Sequence, residues 1–442
     1  MRLFPIAVGL LLSAEAVSQN AYLTNCYVPR YWKANTAWEI SARVRNLTSG
    51  APLVTFRLDW RFNGGPVQQG GWQSTTGINP GQYWPYVHPI PFNVPAGSGT
   101  LKIWVVGVGE TDPSNDTLFF PVNVLEAWAT KSVLLEQYTG TWCQFCPAPN
   151  ATTNTMDADP LIVVAKHHNG DELSNANSTA YWAQFNAEYS PAGVMEQEEF
   201  GTLPDDAQYD QWPARADQRK LGVSPASIAI VPAFNAWQRQ LTVDVDVTFA
   251  AAQTGEFVVN AYLLEDNVAG AQTGALPGYI HQQVVRDVLG GPAGTTGVIP
   301  ASSAAGATYA HQYTYAVPVE WNASNLRVAV TVTEKRNGAS WTVNVADAGL
   351  VLVGMEEEQL PLPLSVHPNP SAGDLQLTAA GWSGPVRIQV LSMDGRVVAD
   401  RTEQAGAQGL RVPGFEQLPA GNYLLRVECA GRAGQQRVVR MP

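Results

Sequence analysis

Charge is scarce in this chain, and positive charge is scarcest. Of 442 residues only 14% are charged, with 26 Lys and Arg set against 38 Asp and Glu. The net charge of -12 argues against a nucleic-acid binder, which would show a basic stripe. It also argues against docking on anionic lipid headgroups. Cysteine is scarcer still, with four in the whole chain, too few for a disulfide-rich scaffold. Long apolar runs are missing as well. Beyond the N-terminal run the longest is Leu101 to Val108, broken by Lys102 and Gly107, so no segment reads as a transmembrane helix. The sequence has no GxSxG, P-loop, HExxH or EF-hand pattern, and no motif calls for a cofactor or a metal. What is abundant is apolar residue at 45%, with 39 Gly and 31 Pro. That composition supplies several cores and favours short strands and turns, in about three domains of ~150 residues.

Residues 1–18 read as a signal peptide, with Arg2 as the positive start, Leu3 to Leu12 as the apolar run and small residues before a cleavage at Gln19. An N-terminal anchor and a lipoprotein built on Cys26 are the competing readings. The run of about 10 residues is short of the ~20 that a spanning helix needs. Residues 19–128 then show strands such as 38–46, 55–62 and 101–108 separated by Asn-Gly-Gly and Pro-Ala-Gly turns, a β-sandwich pattern. The spacing of Trp38, Asn46 and Trp60 resembles adhesion-type immunoglobulin-like modules of bacterial surface proteins. Trp72, Tyr83, Trp84 and Tyr86 read either as a sugar platform or as core and edge packing. Asp112 and Asp116 read as a plain turn or a calcium loop.

Residues 129–233 change character. The buried strands 131–139 and 161–168 flank a helix-permissive segment, and a polar stretch leads to a third strand at 221–231, an α/β pattern. Trp142-Cys143-Gln144-Phe145-Cys146-Pro147 lies at the first strand-to-helix junction. With Cys143 just before a helix and Cys146 one turn on, the helix terminus favours a thiolate on Cys143, which attacks a disulfide while Cys146 resolves the intermediate. The arrangement resembles the thioredoxin fold. There a cis-proline packs over the CxxC, and the resemblance assigns that place to Pro225, with Ser224 and Trp142 meeting substrate. The competing readings are a permanent structural disulfide and a metal pair completed by His167 or His168. Where thioredoxin carries a buried acid six residues before the first cysteine, this chain has Gln137. The neighbouring Glu136 should point to the opposite face.

Residues 234–354 return to alternating strands, 240–249, 256–265 and 325–334. VLLEQYTGTWCQFCPAP (133–149) resembles the opening of the Omp28-related outer-membrane proteins, and 260–297 resembles their β half, with Glu265, Gln272, His281, Arg286 and Gly290-Gly291 at the matching positions. His281 and Arg286 read as structural. The short span after Ile230 leaves no room for a last thioredoxin helix, so the β half should complete the domain. Residues 355–363, acidic and proline-rich, read as a linker. In 364–442, Ser365 to Gly373, Val390 to Arg396, Leu418 to Leu424 and Arg437 to Arg440 resemble in order the C-terminal sorting domain of the type IX secretion system. Asp394-Gly395 is a hairpin signal.

The expected fold class is therefore multidomain and β-rich: an Ig-like sandwich, a thioredoxin-like α/β domain with an associated β-sandwich, and a small C-terminal β-sandwich. The resemblances imply a protein exported to the surface of a Gram-negative bacterium or released, with the type IX machinery as partner through residues 364–442. They leave two functions in competition. One is thiol–disulfide exchange on disulfide-containing exported proteins, with Cys143, Cys146 and Pro225 in the catalytic roles. The other is a non-catalytic adhesion module with a structural disulfide. Cys26 and Cys429 flank the chain and are expected either to pair or to stay free.

Overall fold

The computed structural model describes residues 20–442 except 25, 49, 108–114, 186, 188, 199–207, 337, 354–361, 407–408, 413 and 431, with the side chains of 74–76 also excluded. The signal-peptide, Asp112 and most linker readings lie outside the described residues. The chain divides into two compact units, one reaching Trp128 and including Leu221–Val223, the other holding Ala129–Lys220 and Ser224–Pro442.

The first unit is a β-sandwich of two sheets. Its smaller sheet runs Ala21–Thr24, Ser41–Asn46, Tyr83–Val87, and its larger one runs Tyr31–Lys33, Thr117–Leu125, Gly97–Gly107, Leu53–Phe62, Gln68–Gln69. Strand alternation explains the packing: Phe56, Leu58, Trp60, Leu101, Ile103 and Val105 face inward against Ile40, Val44 and Tyr86. Asn46 is buried because its amide donates to Ala51 O at 2.9 Å and Ile78 O at 2.7 Å while its oxygen accepts from Thr48 N, closing a turn no apolar residue could satisfy. Cys26 packs against this core, and burial pushes its thiol up to about 12. It is unpaired, as is Cys429.

The second unit opens with a strand–helix–strand–helix–strand run. Val133–Thr139 and Ile162–His168 pair in parallel, with Thr139 opposite His168. Between them lies helix α1, Pro147–Met156. Helix α2, Ala176–Gln184, starts on Asn175, whose side chain accepts from Ser178 N at 2.8 Å. The third strand is Ala192–Met195, antiparallel to the first, and helix α3, Trp212–Lys220, follows it. Every residue of the two parallel strands is buried, as expected for a sheet covered on both faces. One face carries Val133, Leu135, Ile162, Val164, Met156 and the fully buried Trp212; the other carries Leu134, Tyr138, Val163, Tyr181 and Trp182. Each such Val or Leu contributes about 1.5–3 kcal/mol.

The segment expected as the third strand of this domain goes elsewhere. Ala226–Asn235 forms a ten-residue hairpin ladder with Gln240–Phe249, in a four-stranded sheet with Thr308–Ala316 and Val351–Val353. A continuous local hairpin outcompetes a distant parallel partner because its loop closure costs less. The β half does complete the α/β sheet. Val284–Val288 joins at Lys166↔Val284, and Glu256–Glu265, Leu326–Arg336 and Ala339–Gly349 extend it to seven strands.

The C-terminal portion packs a three-stranded sheet on a four-stranded one around Leu375, Leu377, Ile388, Val390, Phe415, Leu425 and Val427. The Asp394-Gly395 hairpin forms between Pro385–Ser392 and Val397–Gln404, with Gly395 at φ +82°. Leu362, at the end of the expected linker, is buried here and donates its N–H to Ala433 O at 2.9 Å.

Candidate functional site

The parallel register brings the ends of both central strands to one edge, and the cysteines sit there. Cys143 and Cys146 form a disulfide with Cα atoms 5.4 Å apart. The helix begins later than its spacing suggested. α1 starts at Pro147 with Cys146 as its N-cap, so the second cysteine and not the first meets the helix terminus. Proline at 147 and 149 dictates this, since proline is accommodated in the first turn. The same prolines strip N–H groups from that turn, leaving Ala148 as the sole backbone donor among its first three positions. The favourable terminal field therefore acts mainly on Cys146.

Cys146 has a further partner, with its Sγ 3.2 Å from the hydroxyl of Ser190, which itself donates to Tyr138 O at 3.1 Å. The Ser190–Pro191 peptide is cis, and the bond before Pro225 is not. Ser190 is the serine whose hydroxyl lies beside Cys146, while Ser224 makes its contacts elsewhere. Ser224 is buried and turns its hydroxyl onto Ala226 O at 2.7 Å, and Pro225 accepts from Ala250 N at the head of the four-stranded sheet. Neither touches the cysteines among the described residues. The sequence holds two Ser-Pro pairs in this region. The one at 190–191 precedes a strand of only four residues and is easily passed over.

The loop 140–144 is held from three sides. Asp171 accepts from Thr141 N at 2.7 Å and pairs with His168 Nδ1 at 2.8 Å. Burial would raise the Asp171 carboxyl, but the hydrogen bond and charge of His168, with the donors of Thr141 and Ser174, outweigh it and hold the group at about 2. The Trp142 indole donates to Asn169 O at 2.8 Å and lies over Gly140, where any Cβ would collide with the ring at 2.5 Å. From the β half, Gln272 Nε2 donates to Cys143 O at 2.8 Å and Gly140 O at 3.2 Å, and Thr273 N donates to Thr141 O at 2.8 Å. Gly274, at φ +82°, lies so close to Gln144 O that a Cβ would sit 2.3 Å away. This cover leaves Cys143 only 3% exposed. Around it stand exposed apolar side chains: Trp142, Phe145 at 70%, Tyr189 and, in the covering loop, Leu276 at 86%.

Below the pair, Gln137 donates to Asn150 Oδ1 at 2.7 Å and accepts from Thr153 Oγ1 at 2.7 Å. Lys166 lies beside them, donating to Asn154 Oδ1 at 2.5 Å, and burial lowers it to about 7 despite the opposing charges of Asp157 and Asp266. Glu136 points to the other face, as strand alternation requires. It accepts from Tyr262 OH at 3.0 Å and faces His167 Nε2 at 3.4 Å. The two histidines therefore part company. His167 is buried with Ser178 and Tyr181 on the α2 face, while His168 is tied to Asp171 and meets His281 edge-on at 5.3 Å. Among the described residues no group of three His, Cys, Asp or Glu side chains is arranged to hold a metal. Arg286 pairs with Glu265 at 2.6 Å, and His281 faces Ala271 O at 3.2 Å.

Comparison with known proteins gives two family matches. Residues 178–350 match the family described as outer membrane protein Omp28, and residues 365–440 match the secretion system C-terminal sorting domain. No curated protein matches the chain. Similar solved structures include a CARDB domain from Pyrococcus furiosus at 16% identity, over 24% of this chain and 90% of that one, with a TM-score of 0.19. Another is E. coli alpha-2-macroglobulin at 10% identity, over 97% of this chain and 22% of that one, at 0.26. A marsupial T cell receptor matches at 7% identity, over 92% and 96%, at 0.25. No functional argument rests on these three. The match of residues 178–350 to Omp28 and of residues 365–440 to the type IX C-terminal sorting domain supports a secreted or cell-surface location in a Gram-negative bacterium.

Proposed function

We propose that the exported chain exchanges thiols and disulfides with other exported proteins through Cys143 and Cys146. The observation that carries this reading is the setting of Cys146. Cys146 is the N-cap residue of α1, and its sulfur lies 3.2 Å from the Ser190 hydroxyl, which donates to Tyr138 O in the disulfide and can turn its one proton to a thiolate formed on Cys146, where the helix terminus adds to the stabilisation. Cys146 is thus the leaving group and Cys143 the sulfur attacked. A substrate thiolate bonds to Cys143 Sγ, and the electrons of the Cys143–Cys146 bond leave on Cys146. A second substrate thiolate then attacks the substrate sulfur of the mixed disulfide and releases Cys143. The substrate pair is oxidised, the protein pair is reduced, and two protons pass to thiolates or solvent. The reverse sequence reduces a substrate disulfide. The exposed rings of Trp142, Phe145 and Tyr189 suit a polypeptide substrate.

The burial of Cys143 and the grip of Gln272 on its carbonyl favour a second reading, a disulfide that only braces the loop. Equilibrating the full chain with glutathione buffers, using Cys143→Ser as control, separates the two. A pair that reduces reversibly in the folded protein, with a Cys146→Ser variant forming a mixed disulfide with dithiobis(nitrobenzoate), supports exchange. A pair that resists reduction until the protein unfolds overturns it.

A further inference from the structure

We infer that the outer face of the larger sheet of the N-terminal sandwich binds an anionic polysaccharide of uronic acid units. This goes beyond the cysteine chemistry and does not depend on it. Strand alternation turns Arg57, Asp59 and Arg61 of Leu53–Phe62 away from the core, together with Lys102 and Trp104 of Gly97–Gly107 and Phe119 of Thr117–Leu125. The register places Asp59 opposite Trp104, Arg61 opposite Lys102, and Lys102 opposite Phe119. These three strands span about 10 Å of flat surface at their ordinary spacing.

Aromatic and basic groups alternate across that surface. The Arg57 guanidinium lies 4.8 Å from the Trp72 ring, and the Lys102 ammonium lies 4.9 Å from Trp104 and 5.7 Å from Phe119. Cations seated on the rings hold them in fixed orientations. Trp72 is 49% exposed and Phe119 is 64% exposed, so large apolar planes are offered to solvent on a face whose own core lies on the other side. The reading of Trp72, Tyr83, Trp84 and Tyr86 as one platform does not hold. Tyr86 is buried with its hydroxyl on Gly71 O at 2.9 Å, and Tyr83 and Trp84 belong to the other sheet.

The charge selects the ligand. Among the described residues Asp59 is the acid on this face; it is buried, accepts from Gly70 N at 3.2 Å and is held by Arg57 at 3.0 Å. Arg61 and Lys102 have no carboxylate partner among the described residues, which leaves the face positive. Residues 19–128 hold seven basic and six acidic side chains, in a chain whose net charge is -12. The excess negative charge lies outside this domain. A pyranose ring offers a C–H face that stacks on an aromatic plane, and a uronate adds a carboxylate on the ring's edge for arginine or lysine. A ladder of rings and cations matches a chain of such units.

The test is binding of the full chain to alginate oligosaccharides, with dextran and single-stranded oligo(dT) as the other probes. Alginate should bind and weaken with added salt. Trp72→Ala, Phe119→Ala and the Arg61→Gln/Lys102→Gln pair should each lose at least about tenfold in affinity, with thermal melts matching the parent. Dextran should not bind. Absence of alginate binding at about millimolar ligand overturns the inference, as does binding that the folded variants leave intact. Equal binding of dextran removes the charge selection and overturns it. Oligo(dT) bound equally through the same residues overturns the sugar assignment in favour of a general polyanion site.

Discussion

The Ser190 hydroxyl lies 3.2 Å from the sulfur of Cys146, and it reaches there from a segment 44 residues further along the chain. Hydrogen bonds to charged groups contribute about 1.5–3 kcal/mol. In the disulfide that hydroxyl donates to Tyr138 O, and it turns to the sulfur only as the thiolate forms; Ser190→Ala should slow attack on the disulfide by roughly tenfold, because the departing thiolate loses that donor. Stopped-flow reduction by dithiothreitol measures this, and an unchanged rate would show that the hydroxyl does not serve the leaving group.

Gln272 acts in the opposite sense. Its amide anchors the covering loop to the carbonyls of Gly140 and Cys143. Gln272→Ala should cost about 1–2 kcal/mol in denaturant unfolding, the cost of leaving buried carbonyls unpaired. It should also speed reduction by a bulky phosphine more than reduction by dithiothreitol, since access and not sulfur chemistry changes.

Lys166 sets a pH dependence. Burial lowers it from 10.5 to about 7, so between those values the unfolded chain holds a proton that the folded chain has lost. Stability then rises with pH across that window, the sign required when the unfolded state binds more protons. Lys166→Met should flatten this slope between pH 7 and 10.5 in urea melts recorded at a series of pH values. A slope that persists in the variant would assign it to other groups.

Asp171 contributes at the acid end. Its carboxyl is held at about 2 against an ordinary 3.8, so its stabilisation is complete above the higher value and lost as pH falls through the lower one. Asp171→Asn should cost about 1 kcal/mol at neutral pH, the shift discounted for solvent screening, with most of that cost gone by pH ~2. Chemical denaturation at the two pH values measures it.

Much of the architecture is legible in local pattern. Period-two alternation marks the sandwich strands. Asp394-Gly395 marks its hairpin, and the continuous apolar runs at 133–139 and 162–168 mark strands covered on both faces. The opposite orientations of Glu136 and Gln137 follow from the same alternation. The limit of such reading is visible at the two Ser-Pro pairs. Residues 224–225 precede a long apolar strand and read as the partner of the cysteines, yet that strand pairs with its own hairpin neighbour. Residues 190–191 carry no such signal, because Ala192–Met195 owes its place to pairing with a strand more than fifty residues earlier.

The sequence alone determined the chemistry available: a cysteine pair three residues apart at a strand-to-helix junction, and four ordered elements of a sorting domain. These are matters of residue type and short spacing, and local sterics suffice to read them. Only the tertiary structure decided what surrounds that chemistry. Ser190, Asp171 and Gln272 converge on one loop because a sheet joins strands from distant parts of the chain. Likewise Arg61, Lys102, Trp104 and Phe119 share a face because three strands pair in one register. No local preference encodes such contacts, since side chains so far apart in sequence meet only after the strands between them have paired.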